Sequence, residues 1–441
     1  MLAPLLDIET HGDFPEQADC VVIGGGIVGV SAAYWLARAG QRVVLLEKGR
    51  IGAEQSSRNW GWCRQQNRDA RELPLSTRSL RLWEEMSADI GADLGFRRCG
   101  LLYLSNDATE LDGWARWGQF ARGEGVDTRM LSAREATERG LATGKAWRGG
   151  VWSPSDGVAD PARAAPLIAS GVMQHGGTVV QGCAARGLET ERGAVSAVIT
   201  ERGTIRTRVA VMAGGAWAGS FMHRHGIRFP QASARSSILS LSPGAQGLPD
   251  ALHTAGVSVT RRMDGAHTLA VSGLANLDLT PGGLAGARHF LPMFARRWRV
   301  LRPGNLQAWR AGFETRKAWA FDRATPMEHM RTLDPAPSRA TLELTLKRAQ
   351  ALLPALAGLR VQAQWAGYID STPDGVPVID ADLGTPGLVL AAGLSGHGFG
   401  IGPGVGHLVA DMVLGRRPIT EFRQYRLARF GKGQWGKVAE F

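Results

Sequence analysis

Three glycines, Gly24, Gly26 and Gly29, follow directly on the apolar run Val21–Ile23, and a carboxylate, Glu47, closes the next apolar run, Val43–Leu46. The first run is too brief for a helix and rich in β-branched residues, so it reads as a buried parallel strand. The GxGxxG spacing serves a tight turn, then close approach of backbone to a pyrophosphate, then tight packing of helix on strand. Phosphates would sit on the helix start at Ile27 and Val28. Glu47, roughly 20 residues beyond the glycines, would accept a ribose diol and repel a 2′-phosphate. The chemistry is recognition of an ADP-containing dinucleotide.

Two further places carry chemistry. The stretch Lys48–Asp69, KGRIGAEQSSRNWGWCRQQNRD, is too polar for a regular element and gathers Ser56, Ser57, Arg58, Asn59, Trp60, Gly61, Trp62 and Arg64 in a loop directly after a nucleotide-binding strand. Near the other end, a strand over Leu388–Gly393 runs into LSGHGFGIGPGVG and then a helix over Gly402–Met412. Such a turn makes a second positive helix end, able to stabilise the negative pyrimidine edge of a reduced flavin. One nucleotide-type turn at each end of the chain fits a long cofactor better than a short one. A third glycine cluster, Ala213 to Gly219 in AGGAWAG, ends the strand Val209–Ala213 and includes Gly214, Gly215 and Trp217; it reads almost equally as structural or as admitting a cofactor backbone.

These residues need elements to position them. Apolar spacing predicts a helix from Val28 to Ala39 ended by Gly40, and an amphipathic helix over Leu73–Met86. Phe96–Leu104 reads as a strand pair around Gly100, the entry into a second domain. Asp160 with Pro161 predicts a helix running to about His175, followed by strands at Thr178–Val180, Ala194–Thr200 and Ile205–Ala213. Strands near Ser236–Ser242, Val257–Arg261 and His267–Ser272 precede helices around Leu291–Trp298 and Ala340–Leu356, an α+β pattern. The expected fold is therefore an α/β, Rossmann-like nucleotide-binding domain (1–88, 150–225 and 360–441) threaded through an α+β substrate domain with an antiparallel sheet (89–149 and 226–359).

At 441 residues the chain is long enough for more than one core, and 44% hydrophobic content is ordinary globular. The net charge of +11 comes mostly from scattered arginines, without the clustering, zinc spacing or motif of a nucleic-acid binder. Cys20, Cys63, Cys99 and Cys183 lack CxxC spacing and read as reduced, and no metal site is expected. No signal peptide or bilayer-spanning run is found, so a soluble, cytoplasmic protein is expected. HFLPMFARRWRVLR, His289–Arg302, has two readings: an amphipathic helix packed on its own domain, which is favoured, or one lying on an anionic surface peripheral to the inner membrane.

Taken in order, the opening fingerprint, the SSRN loop, DPAR, AGGAWAG, WAG…TPDGVPVID and SGHGFGIGPGVG resemble the FAD-dependent D-amino-acid oxidase superfamily across nearly the whole chain. EQSSR at 54–58 and CAARGLET at 183–190 are most similar to bacterial L-amino-acid deaminases. The resemblance implies FAD. Gly24, Gly26, Ile27, Val28 and Gly29 would hold its pyrophosphate, Glu47 and Lys48 the ribose end, and the loop Ser56–Gly61 the pyrophosphate or flavin. Ala184, Ala213, Gly214, Gly215 and Trp217 would line the adenine and ribose pocket, and Gly396, His397, Gly398, Phe399, Gly400 and Ile401 would face the flavin. The strand after WAG lacks both the family's carboxylate-binding arginine and the cysteine of its covalent members, having Gly367, Tyr368 and Ile369. FAD should therefore be noncovalent.

The implied reaction is oxidation of an α-amino acid, L favoured, by hydride transfer from Cα to flavin N5, with hydrolysis of the imine to a 2-oxo acid and ammonia. It needs chiefly geometry and a cation on the carboxylate. Arg64 is the first choice, since related sarcosine oxidases place an arginine in the corresponding loop; Arg261 and Arg316 are second choices. Trp62 and Trp60 would wall the flavin, Tyr368 hydrogen-bond the substrate, and His397 stand beside the ring, or merely bond backbone for want of a carboxylate partner. The acceptor would be O2 or a quinone, and a homo-oligomer is compatible with the sequence. A secondary-amine or D-amino-acid enzyme, a flavoprotein subunit of a heteromeric dehydrogenase, and more distantly a nucleic-acid-binding flavoprotein remain alternatives.

Overall fold

The computed structural model describes residues 3–10, 12 and 14–431; the remaining ends of the expected first domain lie outside the described residues. Short β-branched runs form the first sheet. Its six strands lie in the order Val378–Asp380, Leu388–Ala392, Ala210–Met212, Cys20–Ile23, Val43–Leu46 and Thr178–Val180. All pairs are parallel except the first, which is antiparallel. Parallel strands buried on both faces need covers. Helices Ile27–Arg38, Ala164–Gln174 and Gly398–Leu414 pack on one face, and the three-stranded meander over Ala185–Glu191, Ala194–Thr200 and Gly203–Arg206 on the other. Successive crossovers leave Cys20–Ile23 in opposite directions, so a crevice opens at the carboxyl ends of the strands, the place where open α/β sheets bind ligands.

The second sheet has ten strands and is mostly antiparallel. Its spine is Ala232–Leu241 paired along nearly its whole length with Val361–Ser371, Ala232 opposite Ser371 and Leu239 opposite Gln364. Gly149–Ser153 also belongs to it, pairing with Leu101–Ser105. The divisions expected near 150 and 360 thus fall at strands of the larger sheet, because Val361–Ser371 leads from that sheet directly into the crevice.

Local expectations met tertiary context at several points. The helix expected from Asp160 begins at Ala164; Asp160 instead accepts from Ala162 N at 2.9 Å and from Arg262 Nη2 at 3.0 Å. The strand pair around Gly100 is one strand, Leu101–Ser105, since residue 97 makes only an isolated bridge to Val158. The helix expected at 291–298 spans Pro281–Arg297, and none of its residues is buried. Gly286, His289, Phe290 and Met293, on one face, are half-buried, while Leu284, Leu291, Phe294 and Trp298 on the opposite face are exposed. The helix packs on its own domain, against the strand Ala232–Leu241, by that one half-buried stripe. No helix among the described residues is long and apolar enough to cross a membrane.

Candidate active site

The carboxyl ends of four parallel strands open into one cleft, lined there by Ile23, Leu46, Met212 and Ala391. At its nucleotide end Gly24 has φ +110°, and a Cβ there would lie 2.5 Å from Ala213 O. A Cβ on Gly29 would lie 1.8 Å from Gly24 O, so this glycine admits the helix to the strand and does not itself line the cleft. Gly24, Gly26, Ile27 and Val28 do line it. Gly26 caps the helix without a side chain, and Ile27 N donates to Ser56 Oγ at 2.8 Å, leaving a helix start with no acidic residue in its first turn. That is an anion cradle.

Glu47 stands half-buried on the cleft wall and accepts from Gly25 N and Gly49 N, each at 2.7 Å, one oxygen apiece. Burial raises its pKa, with the neighbouring Lys48 charge opposing. Each carboxylate oxygen keeps a further lone pair for a hydroxyl. Cys183 and Ala184 close this end. The residues fit an adenine dinucleotide.

A strap from the far part of the chain crosses the cleft here. Met327 and Leu333 line it, and Lys48 Nζ donates to Met330 O at 2.9 Å and Arg331 O at 3.0 Å. Glu54 accepts from Leu333 N at 2.9 Å, Arg58 Nη1 donates to Leu333 O at 2.7 Å, and Arg58 pairs with Asp334 at 3.1 Å. Lys48 and Arg58 thus border the cleft while holding the strap. Asn59, Ala213, Gly214, Gly215 and Trp217 also line the cleft. Ser57, whose Oγ donates to Glu54 O, does not, nor do Trp60 and Gly61.

At the other end the turn before Gly398–Leu414 presents Gly396, Gly398 and Phe399 to the cleft. Gly400 and Ile401 face away: a Cβ on Gly400 would lie 2.8 Å from Trp62 O, and Ile401 is buried in the helix core. His397 does have a carboxylate partner. Its Nδ1 lies 3.1 Å from Glu72 Oε2, contrary to the expectation from sequence, and burial lowers its pKa to about 4. Tyr368 lines the cleft with its ring, but its hydroxyl donates to Asp278, which also binds Arg235 at 2.7 Å. The hydroxyl is therefore committed within a buried triad rather than presented to substrate. Asp370, absent from the sequence-derived set, lies on the wall, accepting from Gly393 N at 2.7 Å; burial raises its pKa to about 6.

Neither Arg64 nor Trp62 lines the cleft; their backbone packs against Gly400, just beyond its ring end. Arg64 Nη1 donates to Gln66 O and to Tyr103 Oη, the latter at 3.3 Å. Trp62 Nε1 donates to Thr260 Oγ1 at 2.7 Å, and its ring packs edge-on against Trp60 and His253 and tilted against Tyr103. Arg261, a second-choice cation, is tied to Asp250, and Arg316 is exposed. Sequence reasoning missed Glu72, Arg68 and Tyr103 here, since burial and partners tens to hundreds of positions away leave no local mark.

The family model described as FAD dependent oxidoreductase, DAO, matches residues 19–412. Among curated proteins, the chain is similar to glycine oxidase of Bacillus licheniformis, 23% identical, covering 92% of this chain and 96% of that protein. It is 25% identical to sarcosine oxidase subunit beta of Rhizobium meliloti, covering 94% and 89%. Among solved structures, L-amino acid deaminase from Proteus myxofaciens in complex with anthranilate superposes with TM-score 0.93 at 28% identity, covering 98% of each chain.

Proposed function

The chain belongs to the DAO family of FAD-dependent oxidoreductases, and from that premise we propose that it oxidises a free α-amino acid, the L-enantiomer favoured, to an imino acid that water converts to a 2-oxo acid and ammonia. The observation that carries this is a single cleft with the Gly24–Gly26 helix start and Glu47 at one end and the Gly396–Phe399 turn at the other. The likeness to L-amino acid deaminase supports the choice of enantiomer.

Bound FAD supplies the two-electron acceptor for the hydrogen at Cα. The chain's residues do the rest. The helix start and Ser56 hold the pyrophosphate, Glu47 the ribose, and the Gly396–Phe399 helix end stabilises negative charge on the ring. Arg64, with part of its fork uncommitted, orients the substrate carboxylate. FAD is held noncovalently: Gly367 offers no thiol, and the cysteine on the cleft wall, Cys183, stands at the adenine end with its thiol pushed up by burial. We assign the cofactor domain to 1–88, 150–225 and 360–441, with the strands Gly149–Ser153 and Val361–Ser371 at its margins pairing into the larger sheet.

One observation favours a second reading. The Trp62, Tyr103 and His253 rings gathered beside Arg64 suit an N-substituted ammonium through cation–π attraction, as for a secondary amine. Anaerobic mixing of the yellow protein with L- and D-amino acids and with sarcosine, followed by flavin bleaching, separates the readings. Bleaching by sarcosine alone sinks the first; no bleaching by any sinks both. Reoxidation by air against a quinone then identifies the acceptor, and acid precipitation that leaves yellow colour in the supernatant establishes noncovalent FAD.

A further inference from the structure

The turn at the ring end of the cleft does not hold its shape alone. Gly393, Ser395 and Gly396 have φ of +74°, +51° and +84°, so three of four successive residues are left-handed. For serine that backbone is costly, and it persists only where the surrounding structure fixes it. The strand Val361–Ser371 does the fixing. Asp370 Oδ2 accepts from Gly393 N at 2.7 Å and Leu394 N at 3.4 Å, and Asp370 O accepts from Ser395 N at 2.7 Å. Gln231 extends the tie to the third glycine cluster, its Nε2 donating to Asp370 Oδ2 at 3.4 Å and to Gly215 O at 2.8 Å.

Asp370 lines the cleft and is 7% exposed, and no cation pairs with it among the described residues. An asparagine oxygen would accept the same bonds without the cost of burying a charge. The carboxylate on this wall therefore has an electrostatic role besides its structural one. Two-electron reduction leaves negative charge on a flavin ring. The helix end at Gly398 favours that charge, whereas a carboxylate on the same wall opposes it, with little screening inside a cleft.

We propose that Asp370 is a positioning residue that fixes the ring-end turn and, by its charge, holds the reduction potential of the flavin low. The inference rests on the placement of the flavin ring at the Gly396–Phe399 end of the cleft. A lower potential makes the reduced flavin a stronger donor to its terminal acceptor.

The test titrates the FAD-loaded protein with reference dyes at pH 8, where Asp370, raised to about 6 by burial, is ionised. Asp370→Asn keeps an acceptor for Gly393 N and removes the charge. The reduction equilibrium should shift toward the reduced form by roughly tenfold, about 30 mV upward for a two-electron couple, with FAD affinity held within about threefold. Asp370→Ala removes charge and acceptor together; it should raise the potential as well and weaken FAD binding by roughly tenfold, the effect of losing one charge-assisted hydrogen bond. A potential unchanged or lowered in either variant overturns the proposal, so misfolding of one leaves the other decisive. FAD affinity unchanged in Asp370→Ala overturns it too. Failure of the amino-acid-oxidation reading looks different: the dyes report the Asp370-dependent shift, but no amino acid or amine bleaches the flavin.

Discussion

Burial holds the His397 imidazole neutral down to a pKa of about 4, the Arg68 charge acting in the same sense and Glu72 against it. An unfolded histidine titrates near 6.5, so between pH 6.5 and about 4 the unfolded chain takes up a proton that the folded chain refuses. Stability is intact above that window and falls as pH falls through it. His225 and His253, also held to about 4, act in the same direction. Asp156 and Asp370, raised to about 6, act oppositely, since they keep protons on folding that the unfolded chain has released. The diagnostic is therefore a difference: His397→Asn should lose less Tm than wild type between pH 6.5 and 4.5 in scanning calorimetry. Identical losses would show that His397 is not held neutral. Arg64→Ala should lower kcat/KM roughly 30- to 1,000-fold, the range for truncating one partner of a close charge pair, with flavin absorbance retained. Unchanged kinetics would remove Arg64 from the site. Glu47 was legible because its partners Gly25 and Gly49 are fixed by the local strand–turn–helix unit. The Glu72–His397 pair, 325 positions apart, depends on the completed tertiary structure and left no sequence signal.

The helix Gly398–Leu414 shows why a glycine-rich stretch is ambiguous when read by itself. Its turn glycines approach the cleft, but Gly402, Gly404 and Gly406 serve packing against neighbouring helices. A Cβ on Gly406 would lie 2.4 Å from Ser31 Cβ and 2.5 Å from Ser31 C, where backbone must move. Gly406→Ala should therefore destabilise by about 1–3 kcal/mol, the usual range for overpacking. Gly123→Ala is the matched control: it lies at the end of the helix Ala108–Gly123 with nothing within 4 Å of the new Cβ, so Tm should hold or rise. Equal losses in thermal melts would refute the packing role. The helix Ala108–Gly123 escaped the sequence reading although Asp107 caps it and Trp114, Trp117 and Ala121 form its buried stripe. Charged residues between those positions weaken the apolar periodicity, and only the sheet it covers reveals which side is inward. Val43–Leu46, by contrast, was read to the residue because a parallel strand buried on both faces is continuously apolar.

For the molecule as a whole, the exposed stripe Leu284, Leu291, Phe294 and Trp298, flanked by Arg288 and Arg299, gives the protein one side suited to an anionic bilayer. The enzyme should co-sediment with phosphatidylglycerol-containing vesicles and much less with neutral ones, and Leu291→Asp with Phe294→Asp should abolish the association. Retention of the doubly substituted protein on vesicles would place any contact elsewhere. The first sheet was legible because each glycine turn carries its own strand and helix. The long pairing of Ala232–Leu241 with Val361–Ser371 was not, since partners so distant in sequence are chosen only when the chain closes.

The strap over residues 327–334 has a kinetic consequence. Its backbone is gripped by Lys48, Glu54 and Arg58, residues that also border the nucleotide end of the cleft, so a dinucleotide held there would depart sideways only after several charge-assisted hydrogen bonds release together. Exchange of bound for free coenzyme should be slow against turnover, loading should accompany the last stage of folding, and protein emptied by denaturant should open first to proteases between Asp322 and Pro337.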